Sequence, residues 1–215
     1  VISGLGKGIV SSSIAKMLQK RGINIIPVKI DPYFNIDAGL MRATEHGEVW
    51  VTEDGGELDQ DFGHYERFLG INVPKRNNIT SGQVMMQLVV DERAGKHLGH
   101  TVQYMPNLPN EIIRRLREAA KGYEVCVVEI GGTVGDEENK PYLLAANQIA
   151  RQSKSAFVLV TYVFKPPHLG EPKTKPTQHA IMFLREQGIH PDFVVTRSED
   201  PLGEKQKQKI VDFAF

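Results

Sequence analysis

Short apolar runs alternate along the chain with longer segments of helical periodicity. Runs rich in β-branched and other apolar residues predict four strands, at residues 24–30, 123–130, 156–163 and 191–196. The run at 123–130 is almost continuously apolar, which is typical of a strand buried on both of its faces. Strands that are separated by helix-length segments indicate a mostly parallel sheet.

Apolar residues at helical spacing predict four helices, at residues 8–21, 110–121, 176–187 and 203–213. Gly22 and Gly122 follow two of them as C-terminal caps, and Asn110 is an N-terminal cap. The first helix carries a predicted core stripe made of Ile9, Ile14, Met17 and Leu18.

The middle of the chain, residues 32–109, is rich in Gly, Asn, Asp and Glu and is predicted to be less regular. It contains no repeat, low-complexity tract or clear linker, so we predict one α/β domain over residues 1–215, with a mostly parallel sheet flanked by helices. In such sheets, ligands bind beyond the carboxyl ends of the strands. The candidate chemistry is therefore expected just after each strand.

Composition narrows the class of protein. The 26 basic residues balance the 26 acidic ones, which argues against a nucleic-acid binder, and no segment approaches a membrane span. The single cysteine, Cys126, excludes an internal disulfide framework and favours a reducing compartment such as the cytoplasm. The chain starts on a glycine-rich turn and stops inside an apolar helical pattern, so we expect further residues at both ends.

A glycine-rich segment, SGLGKG at residues 3–8, leads into the first predicted helix. Its glycines allow backbone N–H groups to face an anion at the helix N-terminus, and Lys7 would reach the outer phosphates of a nucleotide. The segment departs from the standard phosphate loop, because Val1 replaces the first glycine and Gly8 replaces the Ser or Thr that holds magnesium. The metal therefore needs other oxygen ligands. A glycine turn that only caps a helix remains an alternative.

Two carboxylates are candidate metal ligands. Glu129 ends an apolar strand in the position of a Walker B acid, where a carboxylate is costly unless it is paired or bound to metal. Asp61 belongs to the acidic run at 53–61, and spacing alone does not separate it from its neighbours. A solvated loop is the alternative for most of this run.

Lysines mark three further positions. Lys29 ends the first strand and is suited to a phosphate or a developing negative charge, although a lysine reaching past the sheet edge is the alternative. The segment KTKPTQ at 173–178 precedes a helix and combines lysines, hydroxyls and an amide that suit a triphosphate or base, or else form a basic solvated loop. Lys209, on a lysine-rich helix, is by itself a surface residue.

Taken together and in order, these segments resemble the synthetase domain of the CTP synthases. The matching strings are VISGLGKGI (1–9), KIDPY (29–33), EHGEV (45–49), TEDG (52–55), GHYERF (63–68), EIGGTVGD (129–136) and KTKPTQ (173–178). The resemblance implies a Rossmann-like α/β fold akin to dethiobiotin synthetase. It also implies a ligase of pyrimidine biosynthesis: ATP phosphorylates O4 of UTP, ammonia attacks C4, and phosphate leaves to give CTP. Full-length members obtain the ammonia from glutamine through a glutaminase domain, which this chain lacks.

The resemblance also implies roles for individual residues. Lys7 and Lys29 act on the transferring phosphoryl group, and Asp61 and Glu129 bind Mg²⁺. The ATP loop comprises Gly4, Leu5, Gly6, Lys7, Gly8 and Ile9, with Asp61 nearby. The UTP site comprises Ser3, Lys173, Thr174, Lys175, Pro176, Thr177, Gln178 and Lys209. Asp136, Glu137 and Glu138 contact CTP as a feedback inhibitor. A homotetramer is implied as well.

The chain departs from the family pattern at three positions. Asn107 replaces a usual histidine, and Glu137 and Lys140 stand where apolar residues are preferred. Cys126 lies mid-strand, where a thiol is inert, so it cannot be the glutaminase nucleophile. Three alternatives remain: a dethiobiotin synthetase-like ligase, a partitioning-type ATPase that dimerises on ATP, and a regulatory or filament-forming module without activity.

Overall fold

The computed structural model describes residues 4–168 and 170–214. These residues group into two compact units. The larger unit is Lys7–Gly131, and the smaller unit comprises residues 4–6, 132–168 and 170–214.

The larger unit contains five α-helices, one short 3₁₀ helix (Lys75–Asn77) and five strands among its described residues. In chain order the α-helices and strands are α1 (Lys7–Gln19), β1 (Ile25–Asp31), α2 (Ala43–His46), β2 (Trp50–Val51), β3 (Glu57–Leu58), α3 (Asp61–Leu69), β4 (Asn78–Thr80), α4 (Ser81–Arg93), α5 (Tyr104–Ala120) and β5 (Val125–Ile130). The described part of the smaller unit contains α6 (Lys140–Ala150), β6 (Val158–Tyr162), α7 (Lys175–Glu186), β7 (Phe193–Arg197) and α8 (Glu204–Ala214).

Parallel pairing dominates the sheets, as the alternation of strands and helices predicts. In the larger unit, β1 lies between β4 and β5 and is parallel to both. In the smaller unit β6 is parallel to β7, while the short strands β2 and β3 form an antiparallel pair in the larger unit. Helices α1, α3 and α5 pack against β1, and α7 packs against β6. The predicted α/β class with helices flanking parallel sheets is confirmed.

Strand β1 is the centre of the larger unit, and all seven of its residues are buried. Ile25 packs with Ala15 of α1, and Ile26 packs with Phe62 and Tyr65 of α3. Because successive side chains alternate between the faces of a strand, β1 supplies core residues to both sides. Its last residues, still buried, carry the charged groups of the candidate site.

Pro27 lies in this central strand although proline has no N–H to donate to a sheet. Strand β4 pairs only with Lys29–Asp31, so Pro27 lies before that ladder begins. Next to it, Asn77 donates a side-chain hydrogen bond of 2.8 Å to the Pro27 carbonyl. Because β4 does not pair with Pro27, the missing proline N–H removes no hydrogen bond to β4. The Asn77 side chain satisfies the Pro27 carbonyl in place of a β4 residue.

Residues 32–109, which were predicted to be less regular, contain several elements that the sequence pattern did not identify. This stretch contains α3, the parallel strand β4 and the helix α4. Phe62, Tyr65 and Leu69 lie on one buried face of α3, at helical spacing that the surrounding acidic residues obscure. Thr80 caps α4 by accepting a hydrogen bond of 3.1 Å from the Gln83 backbone N–H.

Two predicted helices need correction. Helix α5 begins at Tyr104, so Asn110 lies within it and is not its cap. The buried positions of α1 are Gly8, Ser12 and Ala15, a face of small residues that allows close packing. Within the predicted stripe, Ile9 is 44% and Met17 is 56% exposed, so neither belongs to the core.

The other predicted helix ends agree closely with the structure, whereas strand β5 is less buried than predicted. Helices α7 and α8 lie within one residue of their predicted ends, and Gly22 and Gly122 have the left-handed backbone of C-terminal caps. Strand β5 is mostly half-buried, in contrast to the prediction of a strand buried on both faces, because it lies at an edge of its three-stranded sheet. None of the helices in the described residues has the length and apolar character to cross a bilayer.

Candidate nucleotide and metal site

Lys29 and Glu129 are brought together by strand register. They are direct partners in the parallel pairing of β1 with β5, close to the carboxyl ends of both strands. Their side chains meet, with Lys29 Nζ 3.3 Å from Glu129 Oε1. Both residues are almost fully buried, at 4% and 5% exposure. The strand ends thus place a cation and a carboxylate where α/β sheets bind ligands.

The Lys29 ammonium lies among four carboxylates. In addition to Glu129, it forms an ion pair with Asp61, and it lies 3.8 Å from Asp31 Oδ1 and 3.9 Å from Asp59 Oδ1. One positive charge therefore faces up to four negative charges. Asp31 and Asp59 were not among the predicted site residues, although Asp31 is two residues after Lys29 and so lies on the same side of β1.

Burial and charge act against each other in this cluster. Burial alone would lower the pKa of Lys29, but the carboxylates of Asp31, Glu129 and Asp61 raise it well above its ordinary value. Burial raises the pKa of Asp31 to about 7, against the opposing effect of Lys29. Burial would also raise the pKa of Asp61, but Lys29 reverses this and lowers it. Lys29 is therefore a permanent cation within an excess of acid groups.

Two hydroxyl groups fix the orientation of Glu129. The Ser11 hydroxyl donates a hydrogen bond of 2.8 Å to Glu129 Oε2, and the Tyr65 hydroxyl donates one of 2.5 Å to the same oxygen. Tyr65 is fully buried, and burial followed by the Glu129 charge raises its pKa, which keeps the phenol protonated. Neither residue was predicted for the site. Tyr65 lies one helical turn after Asp61 on α3, so α3 brings both residues to it.

Lys7 begins α1 near the same charges. Burial lowers the pKa of Lys7, Lys29 lowers it further, and the carboxylates of Glu129 and Asp61 oppose the shift. Gly8 and Ile9 follow within the first turn of α1. The larger unit thus gathers four predicted site residues, Lys7, Lys29, Asp61 and Glu129, around one charged cluster.

The preceding part of the predicted loop belongs to the smaller unit. Gly4 and Gly6 have φ values of +70° and +87°, a left-handed backbone that favours glycine. The Gly4 carbonyl accepts a long contact of 3.5 Å from Arg197 Nη1, at the end of β7. Leu5 between them is half-buried, and Ser3 lies outside the described residues.

The segment at residues 173–178 leads into α7, which begins at Lys175. Thr177 is fully buried, and its hydroxyl lies 3.2 Å from that of Thr161 on β6. Lys173 forms an ion pair of 2.5 Å with Glu171. Thr177 therefore holds the helix against the strand, whereas Lys175 is exposed. The remaining members of the segment, Thr174, Pro176 and Gln178, are buried or half-buried.

Comparison with known proteins identifies the family. The entire chain, residues 1–215, matches the family model described as the CTP synthase N-terminus. The chain belongs to this family. It is 53% identical over 213 residues to a protein named CTP synthase from Pyrococcus horikoshii, covering 98% of this chain and 40% of that protein. Identity to the CTP synthase of Pyrobaculum calidifontis is 52% over 217 residues, covering 100% of this chain and 41% of that protein.

A more distant example is the CTP synthase of Natronomonas pharaonis, which is 49% identical over 215 residues, covering 99% of this chain and 39% of that protein. The chain thus spans about two fifths of the length of the curated relatives it matches. The resemblance inferred from the motifs is confirmed, and the match includes the stretch 32–109 that the sequence pattern described poorly.

Two departures from the CTP synthase pattern compensate each other. Glu137 and Lys140 form an ion pair of 2.6 Å, so the two charges that replace apolar residues neutralise one another. The neighbouring Asp136 accepts hydrogen bonds from the Thr133 backbone N–H, at 3.1 Å, and hydroxyl, at 2.6 Å. Asp136, Glu137 and Glu138 are all exposed. The acidic stretch is therefore accessible, and Lys140 lies beside it as the ion-pair partner of Glu137.

The third departure, at Asn107, has a structural role. Asn107, in place of the usual histidine, accepts a hydrogen bond of 2.8 Å from the Gln103 backbone N–H at the start of α5.

Cys126 is half-buried in β5, and burial raises the pKa of its thiol to about 12. Such a thiol is not a nucleophile at neutral pH. Lys209 is exposed on α8.

Proposed function

We propose that the protein carrying this chain aminates UTP to CTP with consumption of ATP, and that the chain supplies the synthetase part. The family match over residues 1–215 carries this proposal. The cluster around Lys29 supports it, because its excess of carboxylates suits a divalent cation that would neutralise phosphate charge, on which phosphoryl transfer mainly depends. The ammonia would come from glutamine, hydrolysed by another part of the full-length protein.

In the proposed reaction, ATP lies on the loop Gly4–Ile9 with Lys7 at its outer phosphates. Lys29 lies near the γ-phosphoryl group as it transfers to O4 of UTP. The phosphorylated O4 is then a good leaving group, so ammonia attacks C4 and phosphate departs, which gives CTP. Burial of Lys29 in a region of low dielectric would strengthen its attraction for phosphate charge.

The cluster also fits a magnesium ion. Asp61 and Glu129 both form ion pairs with the Lys29 ammonium, so their carboxylates lie close together and one small cation beside Lys29 could contact both. Within residues 4–168 and 170–214, no three His, Cys, Asp or Glu side chains form a complete protein metal site. Magnesium typically takes one or two carboxylates together with waters and phosphate oxygens. We propose Asp61 and Glu129 as its protein ligands; when bound, it supplies charge neutralisation at the phosphates.

The remaining assignments follow the family resemblance. UTP would bind through Ser3, Lys175 and Lys209 together with the other members of the segment at 173–178. CTP would act as a feedback inhibitor at Asp136, Glu137 and Glu138. A homotetramer and a cytoplasmic location are proposed as well, the latter because a single half-buried thiol suits a reducing compartment.

A direct assay tests the proposal. The full-length protein is incubated with UTP, ATP, Mg²⁺ and ammonium, and CTP and ADP are separated by chromatography. We expect CTP and ADP in equal amounts when all components are present, and neither should form without UTP. Without ammonium no CTP should form, because the phosphorylated UTP then meets no amine. ATP turnover that ignores UTP would contradict the proposal and favour the partitioning-type ATPase. Lys7→Ala should abolish CTP formation while the circular dichroism spectrum stays unchanged.

A further inference from the structure

Gly8 is a glycine for a reason other than backbone conformation. It lies in the first turn of α1 and is absent from the glycines with positive φ, in contrast to Gly4 and Gly6. Its helical backbone is one that any residue adopts, and within a helix alanine is favoured over glycine. Something in its surroundings must therefore exclude a side chain.

The excluded space is filled by Asp61. A Cβ atom built on Gly8 would overlap Asp61 Oδ1 and lie 2.8 Å from Asp61 Cγ. The carboxylate cannot swing away at little cost, because it is ion-paired with Lys29 and lies 3.3 Å from His64 Nδ1. Asp61 is also the first residue of α3, which packs against α1.

The position is chemically significant because it follows the phosphate-loop lysine. In the standard loop, this position is a Ser or Thr whose hydroxyl holds magnesium. Here an oxygen of Asp61 lies in the space that the side chain of that Ser or Thr would fill. We infer that Gly8 and Asp61 form an exchanged pair: the carboxylate takes over the metal-binding place of the phosphate-loop hydroxyl, and Gly8 is the positioning residue that admits it. This inference rests on the proposed ATP and magnesium site.

A stability cycle tests the steric half of the inference without metal or nucleotide. The full-length protein is prepared as wild type, Gly8→Ala, Asp61→Ala and the double variant, and thermal unfolding is followed in EDTA. Gly8→Ala should lower the midpoint in the wild type. In the Asp61→Ala background it should raise the midpoint by about 2–4 °C, because the helix then gains an alanine without a clash. Additive effects, with the same sign in both backgrounds, would overturn the inference.

Asp61→Asn provides a second background of nearly unchanged volume, which serves if Asp61→Ala does not fold. There Gly8→Ala should still lower the midpoint, since the amide fills the same space. A gain in midpoint in this background would contradict a steric origin.

A metal-binding cycle tests the chemical half. Mn²⁺ binding is measured by electron paramagnetic resonance in the presence of a non-hydrolysable ATP analogue. Asp61→Ala should weaken Mn²⁺ binding by about tenfold or more, the range seen for lost metal-site partners. Adding Gly8→Ser to that variant should recover part of the loss, whereas adding Gly8→Ala should recover none. Equal Mn²⁺ affinity of the Gly8→Ser and Gly8→Ala variants in the Asp61→Ala background would refute the proposed exchange.

The two failures are distinguishable. If the proposed function fails, the wild type makes no CTP, yet the stability cycle in EDTA still reports whether Gly8 and Asp61 compete for space. If the exchange fails, the wild type still makes CTP, and the sign of the Gly8→Ala effect does not change between backgrounds.

Discussion

Tyr65 donates a hydrogen bond of 2.5 Å to Glu129 Oε2 from the buried face of α3. The bond joins a helix to the end of strand β5 and orients a proposed metal ligand. Replacing a residue that holds a metal ligand in place typically weakens metal binding by about 10–100-fold. The phenol is therefore expected to matter for magnesium although it would not touch the ion.

Tyr65→Phe should lower the free energy of unfolding by about 1–3 kcal/mol, because it removes a buried donor and leaves the Glu129 oxygen with Ser11 alone. It should also raise the Mg²⁺ concentration needed for half-maximal CTP formation. Urea unfolding and a magnesium titration of activity measure the two effects. Tyr162→Phe, at a phenol with only a 3.4 Å contact to Glu199, is the matched control and should change neither. An unchanged magnesium requirement in Tyr65→Phe would argue against the positioning role.

Lys29→Met should abolish CTP formation and destabilise the larger unit. Removing one partner of a buried ion pair costs about 3–5 kcal/mol because the opposite charges are left uncompensated. Mg²⁺ should restore part of the lost stability, since a divalent cation can neutralise the same carboxylates. Denaturant unfolding with EDTA and with Mg²⁺ checks this, and the exposed Lys20→Met serves as control. Equal destabilisation with and without Mg²⁺ would contradict magnesium binding by these carboxylates.

Asp31→Asn is expected to change the pH dependence of stability. The pKa of Asp31 rises from 3.8 to about 7 on burial, so the unfolded chain ionises at lower pH than the folded one. The contribution of Asp31 to the free energy of unfolding should then fall as pH rises between those values and level off above them. Asn does not titrate, so the stability of the variant relative to wild type should increase over this range, by at most about 4 kcal/mol.

The measurement for Asp31→Asn is urea unfolding at a series of pH values, in EDTA and without nucleotide. The exposed Asp212→Asn should reproduce the wild-type profile. A relative stability that declines with increasing pH would show that the buried carboxyl is ionised well below neutrality.

Those parts of the site that depend on single strands were predictable from the sequence. Lys29 and Glu129 each end an apolar run, and strand ends of α/β sheets meet at one edge, so their proximity follows from the pattern. The glycine turn before Lys7 was also recognisable, because its backbone conformation depends only on the local sequence. Gly4 and Gly6 indeed have left-handed backbone conformations.

Those parts that depend on α3 were not predictable. Asp61 was one of several acids in a run that favours a solvated loop, and its selection came from family resemblance. Tyr65 joins the site only because α3 packs against β1 and turns both residues inward. The compensation between Glu137 and Lys140 likewise depends on the short 3₁₀ turn Glu137–Asn139 that precedes α6, because it brings side chains three residues apart together.

Cys126 should resist alkylation in the native protein. Burial raises the pKa of its thiol to about 12, so at pH 8 the reactive thiolate is on the order of a thousandfold rarer than for a free cysteine of pKa about 8.5. Iodoacetamide labelling of the peptide that contains Cys126, followed by mass spectrometry, should therefore be slow at pH 8. As long as the pH is below the pKa, raising the pH by one unit should increase the labelling rate about tenfold, because the thiolate fraction increases by that factor.

Labelling in urea provides the reference for the unfolded thiol. If native Cys126 reacts as fast as it does in urea, β5 separates readily from β1 and the thiol is not protected by neighbouring residues. Slow native labelling together with fast labelling in urea would instead show that β5 remains paired with β1, which is the register that keeps Glu129 beside Lys29.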